Sequence, residues 1–426
     1  GRQMNCHFAT PFIDAEGNFL DLKNRYNISA DVSPTAGQMA RALGLALASK
    51  KFRELPALSG DLSEQGNEVI FCTIGDASTS EGVFWETVNA AGVLQVPLAI
   101  SVWDDGYGIS VPKKYQTTKE SISEILNGFD GEGGLNIYTA KAWDYPGLCA
   151  LYQDAIAQMR RSHRPALFHI QEVTQQLGHS TSGDHRRYKS PERLAWEEEF
   201  DCNRRMANWM IAAGIATEAE IEAIKTEAKR EVAEAAQRAY RHYHDAVATN
   251  RPQLSRLLQD ARNAYPDVPA LNDIAAELEQ KREPLRFELL KSARQALFTL
   301  AGKSGPACDQ LVAFAEREAG NGQRWFSDHL YSNSPKSALR VPVIPARFSD
   351  DAPLKDGYEI LNSCFDANFT KYPALFAFGE DVGSIGDVNQ GMRGMQQKFG
   401  IERVFDTGIR EWTIMGQSIG MAMRGL

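Results

Sequence analysis

Two acidic residues follow short apolar runs of the chain, and a helix-like segment separates the runs. The apolar run 69–74 is followed by Gly75 and then Asp76. The apolar run 96–103 is followed by Asp104 and then Asp105. Carboxylate oxygens are hard ligands that suit Mg²⁺, which commonly also binds phosphate oxygens and water. Two such acids at one place predict a magnesium ion that bridges to a diphosphate. The alternative is that each acid only caps a strand end or a helix start, which is a common role of Asp.

The two apolar runs have the composition of buried parallel strands. The first ends at Gly75, and the second ends at the turn-forming residues 104–106, as buried strands do. Parallel strands joined by a right-handed crossover end at the same edge of a sheet, and open α/β sheets bind ligands at that edge. Asp76 and Asp105 are therefore predicted to converge on one crevice.

A helix is predicted between the two strands. Ser78 and Glu81 have the three-residue spacing of a capping box, and the apolar residues that follow recur at helical spacing. The helix is expected to run from about Ser80 to Leu94. The unit is thus strand, helix, strand.

The same stretch resembles the thiamine-diphosphate signature, in which a Gly-Asp-Gly triplet is followed after some two dozen residues by two asparagines. Here Gly75, Asp76 and Ala77 are followed by 26 residues and then by Asp104 and Asp105. The sequence departs from the signature at Ala77 and at the two acids. Asp105 still offers an oxygen to a metal, but it adds negative charge near a diphosphate.

Other segments resemble the thiamine-dependent first component of 2-oxo acid dehydrogenase complexes. Residues 1–7 (GRQMNCH), 33–38 (SPTAGQ) and 177–188 (LGHSTSGDHRRY) resemble its α subunit. Residues 378–383 (FGEDVG) and 398–426 resemble the start of its β subunit. The GRQM segment is closer to the branched-chain, 2-oxoisovalerate type than to the pyruvate type. The resemblance implies a natural fusion of α-like and β-like halves, of which this chain is an internal fragment.

The resemblance implies a set of site residues. The residues expected to bind the cofactor are Ser33, Thr35, Gly75, Asp76, Ala77, Ser78, Asp105, Tyr107, His179 and Glu411, and those expected to bind magnesium are Asp76, Asp105 and Tyr107. His179 would lie near the cofactor phosphates and the entering acyl acceptor. The Glu411 carboxyl would hydrogen-bond the pyrimidine ring of thiamine diphosphate, so that the neighbouring imino group removes a proton from the thiazolium carbon. Position alone would make His179 a surface residue and Glu411 an ordinary helix start.

The family implies oxidative decarboxylation of a 2-oxo acid, with transfer of the acyl group to a lipoyl group on the acyltransferase component. Its cofactors would be thiamine diphosphate and magnesium. One alternative is a pyruvate dehydrogenase or a transketolase-like enzyme that uses the same cofactor. Another is a cofactor-free scaffold, which four departures from the family pattern would favour: Ala77, Trp103, Asp104 and Gln175.

Composition limits the class of protein. With 426 residues, of which 43% are hydrophobic, the chain is long enough for two or three domains. A net charge of −9 gives no support to nucleic-acid binding, which usually shows as a basic face, and no apolar run reaches the length of a membrane span. The six cysteines are scattered, which favours reduced thiols and a cytoplasmic or matrix-like compartment.

The expected fold class is α/β, a thiamine-diphosphate-binding fold with parallel sheets, a helical insert and a second α/β domain that is truncated. The predicted domains are a diphosphate-binding domain at 1–190, a helical region and linker at 191–340, and the start of a pyrimidine-binding domain at 341–426. The long helical pattern from Thr217 to Val247 predicts a solvated or partner-facing helix. Because the pyrimidine and the diphosphate would contact different domains, the protein is expected to be a homo-oligomer, at least a dimer.

Overall fold

The computed structural model describes residues 9–30, 32, 34–175, 177–179, 184–327, 332 and 334–426. These residues form two compact units. An α/β unit lies within Cys6–Ile215 and Ser334–Leu426, and a helical unit lies within Ala216–Asn333.

The α/β unit is built on a parallel sheet. Its strands are β1 (Ile70–Gly75), β2 (Leu98–Asp104), β3 (Tyr107–Gly108), β4 (Val111–Pro112), β5 (Asn136–Lys141), β6 (Ala166–Gln171), β7 (Ala377–Gly379) and β8 (Val404–Asp406). The main sheet has the order β1-β2-β6-β5, and all of its neighbours are parallel. Strands β3 and β4 form a short antiparallel pair, and β7 and β8 form a parallel pair.

The helices before the helical unit are α1 (Gln38–Glu54), α2 (Gly82–Leu94), α3 (Ile122–Ile125), α4 (Tyr145–Ser162), α5 (Pro191–Glu199) and α6 (Cys202–Ala212). The helical unit contains α7 (Glu218–Ala248), α8 (Asn250–Ala264), α9 (Ala270–Gln280), α10 (Arg286–Thr299) and α11 (Pro306–Ser327). Helices α12 (Gly357–Lys371), α13 (Met395–Phe399) and α14 (Glu411–Met423) return to the α/β unit. Helices α5 and α6, which the sequence placed in the helical region, thus lie in the α/β unit.

The predicted strand, helix, strand unit is present as β1, α2 and β2. Strand β1 pairs with β2 in parallel, with Ile70 opposite Leu98 and Gly75 opposite Trp103. Strand β2 is buried along almost its whole length, as expected for a central strand covered on both faces. Phe84 and Val88 of α2 are fully buried in the core beside this sheet. The α/β fold class is therefore confirmed.

The predicted capping box of α2 is wrong. The helix begins at Gly82, and its N-cap residue is Glu81, which makes no side-chain capping hydrogen bond. Ser78 instead lies in a 3-10 turn, Asp76–Ser80. The Glu81 amide donates to the Ser78 carbonyl oxygen at 3.2 Å. Residues 78–81 therefore belong to the 3-10 turn, whereas a capping box would require them to form the first turn of the α-helix.

The segment 341–356 contains no helix or strand and connects to α12, as its prolines predict. Beyond it, α12, β7, β8 and α14 form the second set of α/β elements. Phe405 of β8 and Met421 of α14 are part of the same core cluster as α1 and α2. The elements that follow the segment 341–356 therefore pack on the elements that precede the helical unit, within one compact unit.

Helices α8 to α11 of the helical unit share their own core. Its centre consists of leucines that are fully buried, among them Leu254, Leu258, Leu278 and Leu289. A buried ion pair joins two of these helices, because Arg286 Nη1 lies 2.6 Å from Glu318 Oε2. None of the helices in the described part of the chain is long and apolar enough to cross a membrane.

Candidate cofactor site at the strand ends

Asp76 stands where β1 ends and the chain turns. The Thr79 hydroxyl donates to the Asp76 carbonyl oxygen at 2.7 Å, which closes the 3-10 turn and directs the Asp76 side chain inward. The side chain is 6% exposed. Among the described residues, no group donates a hydrogen bond to its buried Oδ2 atom. A buried acceptor without a donor is costly, so Asp76 Oδ2 would be stabilised by a donor or a cation beside it.

Asp104 and Asp105 lie at the same sheet edge as Asp76. The register that sets Gly75 opposite Trp103 brings the residues after both strands together. The three carboxyls interact: burial, followed by the charges of Asp104 and Asp105, raises the pKa of Asp76 to about 7. The sequence prediction that Asp76 and Asp105 converge is thus met by the geometry of the strands.

Asp105 is held by the turn that follows β2. Its Oδ1 accepts a hydrogen bond from the Tyr107 amide at 3.0 Å. Burial raises the pKa of Asp105, while the Tyr107 amide and the Lys189 ammonium oppose that shift. The Lys189 Nζ atom lies 5.0 Å from the centre of the Tyr107 ring. Arg193 Nη2 donates to the Asp105 carbonyl oxygen at 2.9 Å, so two cations lie beside this acid.

Asp104 has a structural role that the sequence did not reveal. Its Oδ2 accepts from Lys113 Nζ at 3.0 Å and from His169 Nε2 at 2.9 Å. The other ring nitrogen of His169, Nδ1, lies 2.8 Å from the Ser123 hydroxyl. Burial alone would raise the pKa of Asp104, but His169 and Lys113 outweigh it and hold that pKa below its ordinary value. The available signal was His169 itself, a lone polar side chain inside an apolar strand.

Ala77 replaces the third glycine of the signature, and β3 passes close to it. A Cβ atom on Gly108 would lie 2.8 Å from the Ala77 Cβ atom, so the Ala77 methyl is accommodated by a glycine opposite. Ser78 lies in the same 3-10 turn as Asp76, two residues further along. Gly75, Asp76, Ala77, Ser78 and Tyr107 therefore all surround the ends of β1 and β2.

Several predicted site residues lie elsewhere in the chain. Thr35 is exposed in the turn before α1, and His179 is exposed between β6 and α5. No hydrogen bond or ion pair joins either of them to Asp76 or Asp105 in the part of the chain that the structure describes. Ser33, residues 1–7 and 180–183 of the predicted motifs lie outside the described residues. The roles assigned to Ser33, Thr35 and His179 stay predictions.

Glu411 is the exposed first residue of α14. Helix α14 packs closely along α1, because a Cβ atom on Gly416 would overlap Ala40. Glu86 Oε2 of α2 accepts a hydrogen bond from the Thr413 amide at 3.3 Å. The start of α14 is therefore anchored to α2, the helix that follows Asp76 in the chain.

The donor set fits a hard divalent cation. The described residues contain no group of three or more His, Cys, Asp or Glu side chains placed to hold a metal ion. Asp104 is engaged by His169 and Lys113, which leaves Asp76 and Asp105 as side-chain donors. Mg²⁺ commonly takes one or two carboxylates and completes its shell with phosphate oxygens and water. The unpartnered Oδ2 of Asp76 is the observation in favour of such an ion.

Comparisons with known proteins identify the family of this chain. The family model of the dehydrogenase E1 component matches residues 16–247. The human mitochondrial 2-oxoisovalerate dehydrogenase subunit alpha is 26% identical over 275 residues, which cover 63% of this chain and 52% of the human protein. The 3-methyl-2-oxobutanoate dehydrogenase subunit alpha of Mycobacterium tuberculosis is 27% identical over 260 residues, which cover 61% of this chain and 62% of that protein.

A mitochondrial 2-oxoisovalerate dehydrogenase subunit alpha 2 from Arabidopsis thaliana is 25% identical over 283 residues, which cover 49% of its length. The chain thus spans about half the length of the human and plant relatives. The family match contains β1, α2, β2 and β6, and with them the whole set of acids at the strand ends. Since the match covers more than half of the 426 residues, the chain belongs to the dehydrogenase E1 component family.

Proposed function

We propose that the protein catalyses oxidative decarboxylation of a 2-oxo acid and transfers the acyl group to a lipoyl group on the acyltransferase component. The observation that carries the proposal is Asp76, a buried carboxylate at the ends of two parallel strands, whose Oδ2 atom has no donor among the described residues. The named relatives are dehydrogenases of 2-oxoisovalerate and 3-methyl-2-oxobutanoate. A branched-chain 2-oxo acid is therefore the favoured substrate.

Asp76, Asp105 and the Tyr107 backbone would hold Mg²⁺, and the turn at Gly75, Ala77 and Ser78 would hold the diphosphate of thiamine diphosphate. The raised pKa of Asp76, about 7, supports this role, since a nearby divalent cation would stabilise the ionised carboxyl. Bound thiamine diphosphate supplies an electron sink for the electron pair that is released when carbon dioxide leaves the substrate.

The protein supplies the surrounding charge. Lys189 and Arg193 lie beside Asp105, and Lys113 is paired with Asp104. Lys189 and Arg193 also pair with the buried Glu197. Together with Glu197, the three cations leave two positive charges against the two acids that replace the neutral amides of the signature. His169 orients the Asp104 carboxyl from within the sheet.

Glu411 and His179 would act on the reacting part of the cofactor. The Glu411 carboxyl would share a proton with the pyrimidine ring, and His179 would contact the entering acyl acceptor. Both side chains are exposed in the described chain, so a partner surface would have to enclose them. We accordingly propose an assembly of at least two copies, with the lipoyl domain of the acyltransferase component as a further partner, in a cytoplasmic or matrix-like compartment.

One assay separates the candidate functions. The full-length protein, with thiamine diphosphate and Mg²⁺, is tested for lipoamide-dependent decarboxylation of 2-oxoisovalerate and of pyruvate, and for ketol transfer between sugar phosphates. The proposal expects turnover with 2-oxoisovalerate above that with pyruvate. Turnover only with pyruvate, or only ketol transfer, would instead identify one of the other thiamine-dependent enzymes. Absence of both activities and of cofactor binding would identify a scaffold that retains the fold.

A further inference from the structure

Helix α7 has a long segment that the rest of the described chain leaves exposed. Every residue from Glu222 to His242 is exposed, a stretch about 30 Å long at the usual helical rise. The exposed residues include large apolar side chains, since Ile224 is 58% and Val232 is 69% exposed. The N-terminus of α7 is well formed, with a capping box between Thr217 and Glu220.

The apolar residues of this segment recur with an eleven-residue period along one side of the helix. We call this set the α7 stripe: Ile224, Ala228, Val232, Ala235 and Ala239. Their spacings of four, four, three and four residues keep them within one narrow face of a straight helix. Ile221 and Tyr243 extend the same row at its two ends.

The opposite side of α7 is stabilised by its own ion pairs. Arg230 forms ion pairs with Glu227 and Glu234, and Arg238 pairs with Glu234 at 3.7 Å. Glu227, Arg230 and Glu234 lie about 140–160° around the helix from Val232, on the side away from the α7 stripe, and Arg238 lies at the edge of the stripe. The helix therefore has one face satisfied within the chain and one apolar face that is left uncovered.

The charges of α7 favour a second copy of the same helix in antiparallel orientation. The first ten residues of α7 carry four glutamates against one lysine, and residues 238–245 carry two arginines against one aspartate. An antiparallel pair centred on Val232 sets Glu222 and Glu227 of one copy within one residue of the levels of Arg241 and Arg238 of the other. A parallel pair would set like charges together.

The spacing of the α7 stripe is nearly symmetric about Val232. In the antiparallel pair, Val232 faces Val232, and Ile224 faces Ala239, so that a large side chain meets a small one. The surface is thereby self-complementary, as a two-fold contact requires. We propose that α7 of this chain pairs with α7 of a second copy, antiparallel and centred on Val232. This contact is independent of the proposed function.

Disulfide trapping in the full chain tests the pairing. The background carries Cys149→Ser and Cys364→Ser, because both cysteines are exposed. Under mild oxidation, Val232→Cys is expected to give at least tenfold more covalent dimer than Gln237→Cys, an exposed control on the opposite side of α7. Equal yields from the two variants would overturn the proposal, and would leave a different protein or a lipid surface as the partner of the α7 stripe.

The orientation has its own test. Ile224→Cys alone is expected to give only the background yield, since the two copies of residue 224 would be about 24 Å apart along the antiparallel pair. Ile224→Cys combined with Ala239→Cys is expected to link as efficiently as Val232→Cys. Efficient linking by Ile224→Cys alone would show a parallel pair and would overturn the antiparallel proposal. Circular dichroism of each variant checks that the helix content is unchanged.

Discussion

At the scale of residues, three neighbouring carboxyl groups of the site differ in the hydrogen-bond donors that surround them. Asp104 receives two donors and its pKa falls, whereas Asp76 is buried without a donor to Oδ2 and its pKa rises to about 7. Asp105 lies between these extremes, because the Tyr107 amide contacts only one of its oxygens. Asp76, whose Oδ2 atom has no donor in the described chain, is therefore the acid best placed to bind a metal ion.

The raised pKa of Asp76 predicts that this residue destabilises the metal-free fold. The unfolded pKa is near 3.8 and the folded pKa is about 7, so the destabilisation is absent below about pH 4, grows up to pH 7 and is constant above. Asp76→Asn should therefore stabilise the protein at pH 8 by roughly 1–4 kcal/mol. Urea unfolding in the presence of a chelator measures this gain, which should shrink as the pH falls toward 4. A gain that is independent of pH would contradict the assignment.

Glu411→Gln should bind cofactor normally and lose most of the proton removal at the thiazolium carbon. The amide cannot share a proton with the pyrimidine nitrogen as the carboxyl can. Hydrogen–deuterium exchange at that carbon, followed by NMR in the full-length protein, measures the step directly. Exchange as fast as in the parent protein would show that Glu411 has no such role. Glu402→Gln, an exposed acid that precedes β8, is the matched control.

At the scale of elements, the sequence predicted those features that depend on local pattern. The strands around Asp76 and Asp105 and the helix between them follow from apolar runs and helical spacing. Contacts between distant segments could not be predicted in this way: His169 bonds to Asp104 across 65 residues because β6 lies beside β2. The capping box of α2 was wrongly predicted, since Ser78 takes part in a 3-10 turn that the capping pattern does not distinguish from a helix start.

The close packing of α14 on α1 predicts that Gly416 cannot be enlarged. Alanine has the higher helix propensity, yet the added Cβ atom would overlap Ala40. Gly416→Ala should destabilise the α/β unit by roughly 1–3 kcal/mol, the usual cost of overpacking. Thermal unfolding compares it with Gly82→Ala, a helical position in the same unit with open space around it. Equal stability of the two variants would mean that α14 does not pack on α1 as described.

At the scale of the whole molecule, the exposed face of α14 suggests that the α/β unit meets a partner there. Trp412, Met415 and Ile419 are 65%, 64% and 47% exposed, and apolar residues clustered beside Glu411 are typical of an interaction surface. A partner that covers this face of α14 would also enclose a site that uses both Asp76 and Glu411. The helical unit adds the separate contact proposed for α7.

Sedimentation equilibrium of the full-length protein should therefore give a mass of at least two copies. Replacing both Met415 and Ile419 by Asp should lower the average mass at micromolar concentration, because charged side chains are costly to bury in an apolar contact. Phe348→Asp, at an 84% exposed position in the segment before α12, should leave the mass unchanged. A parent protein that sediments as a single copy would contradict the proposed assembly.

The most direct test of the account is calorimetric titration of thiamine diphosphate into the full-length protein with and without Mg²⁺. Binding should require Mg²⁺, and Asp76→Ala should weaken it at least tenfold, because removing a hard ligand leaves the diphosphate charge poorly compensated. Asp61→Ala, an exposed acid of the same unit, should bind as the parent does. If Asp76→Ala binds thiamine diphosphate as tightly as the parent in the presence of Mg²⁺, then Asp76 is not the metal ligand and the site at the strand ends is wrongly assigned.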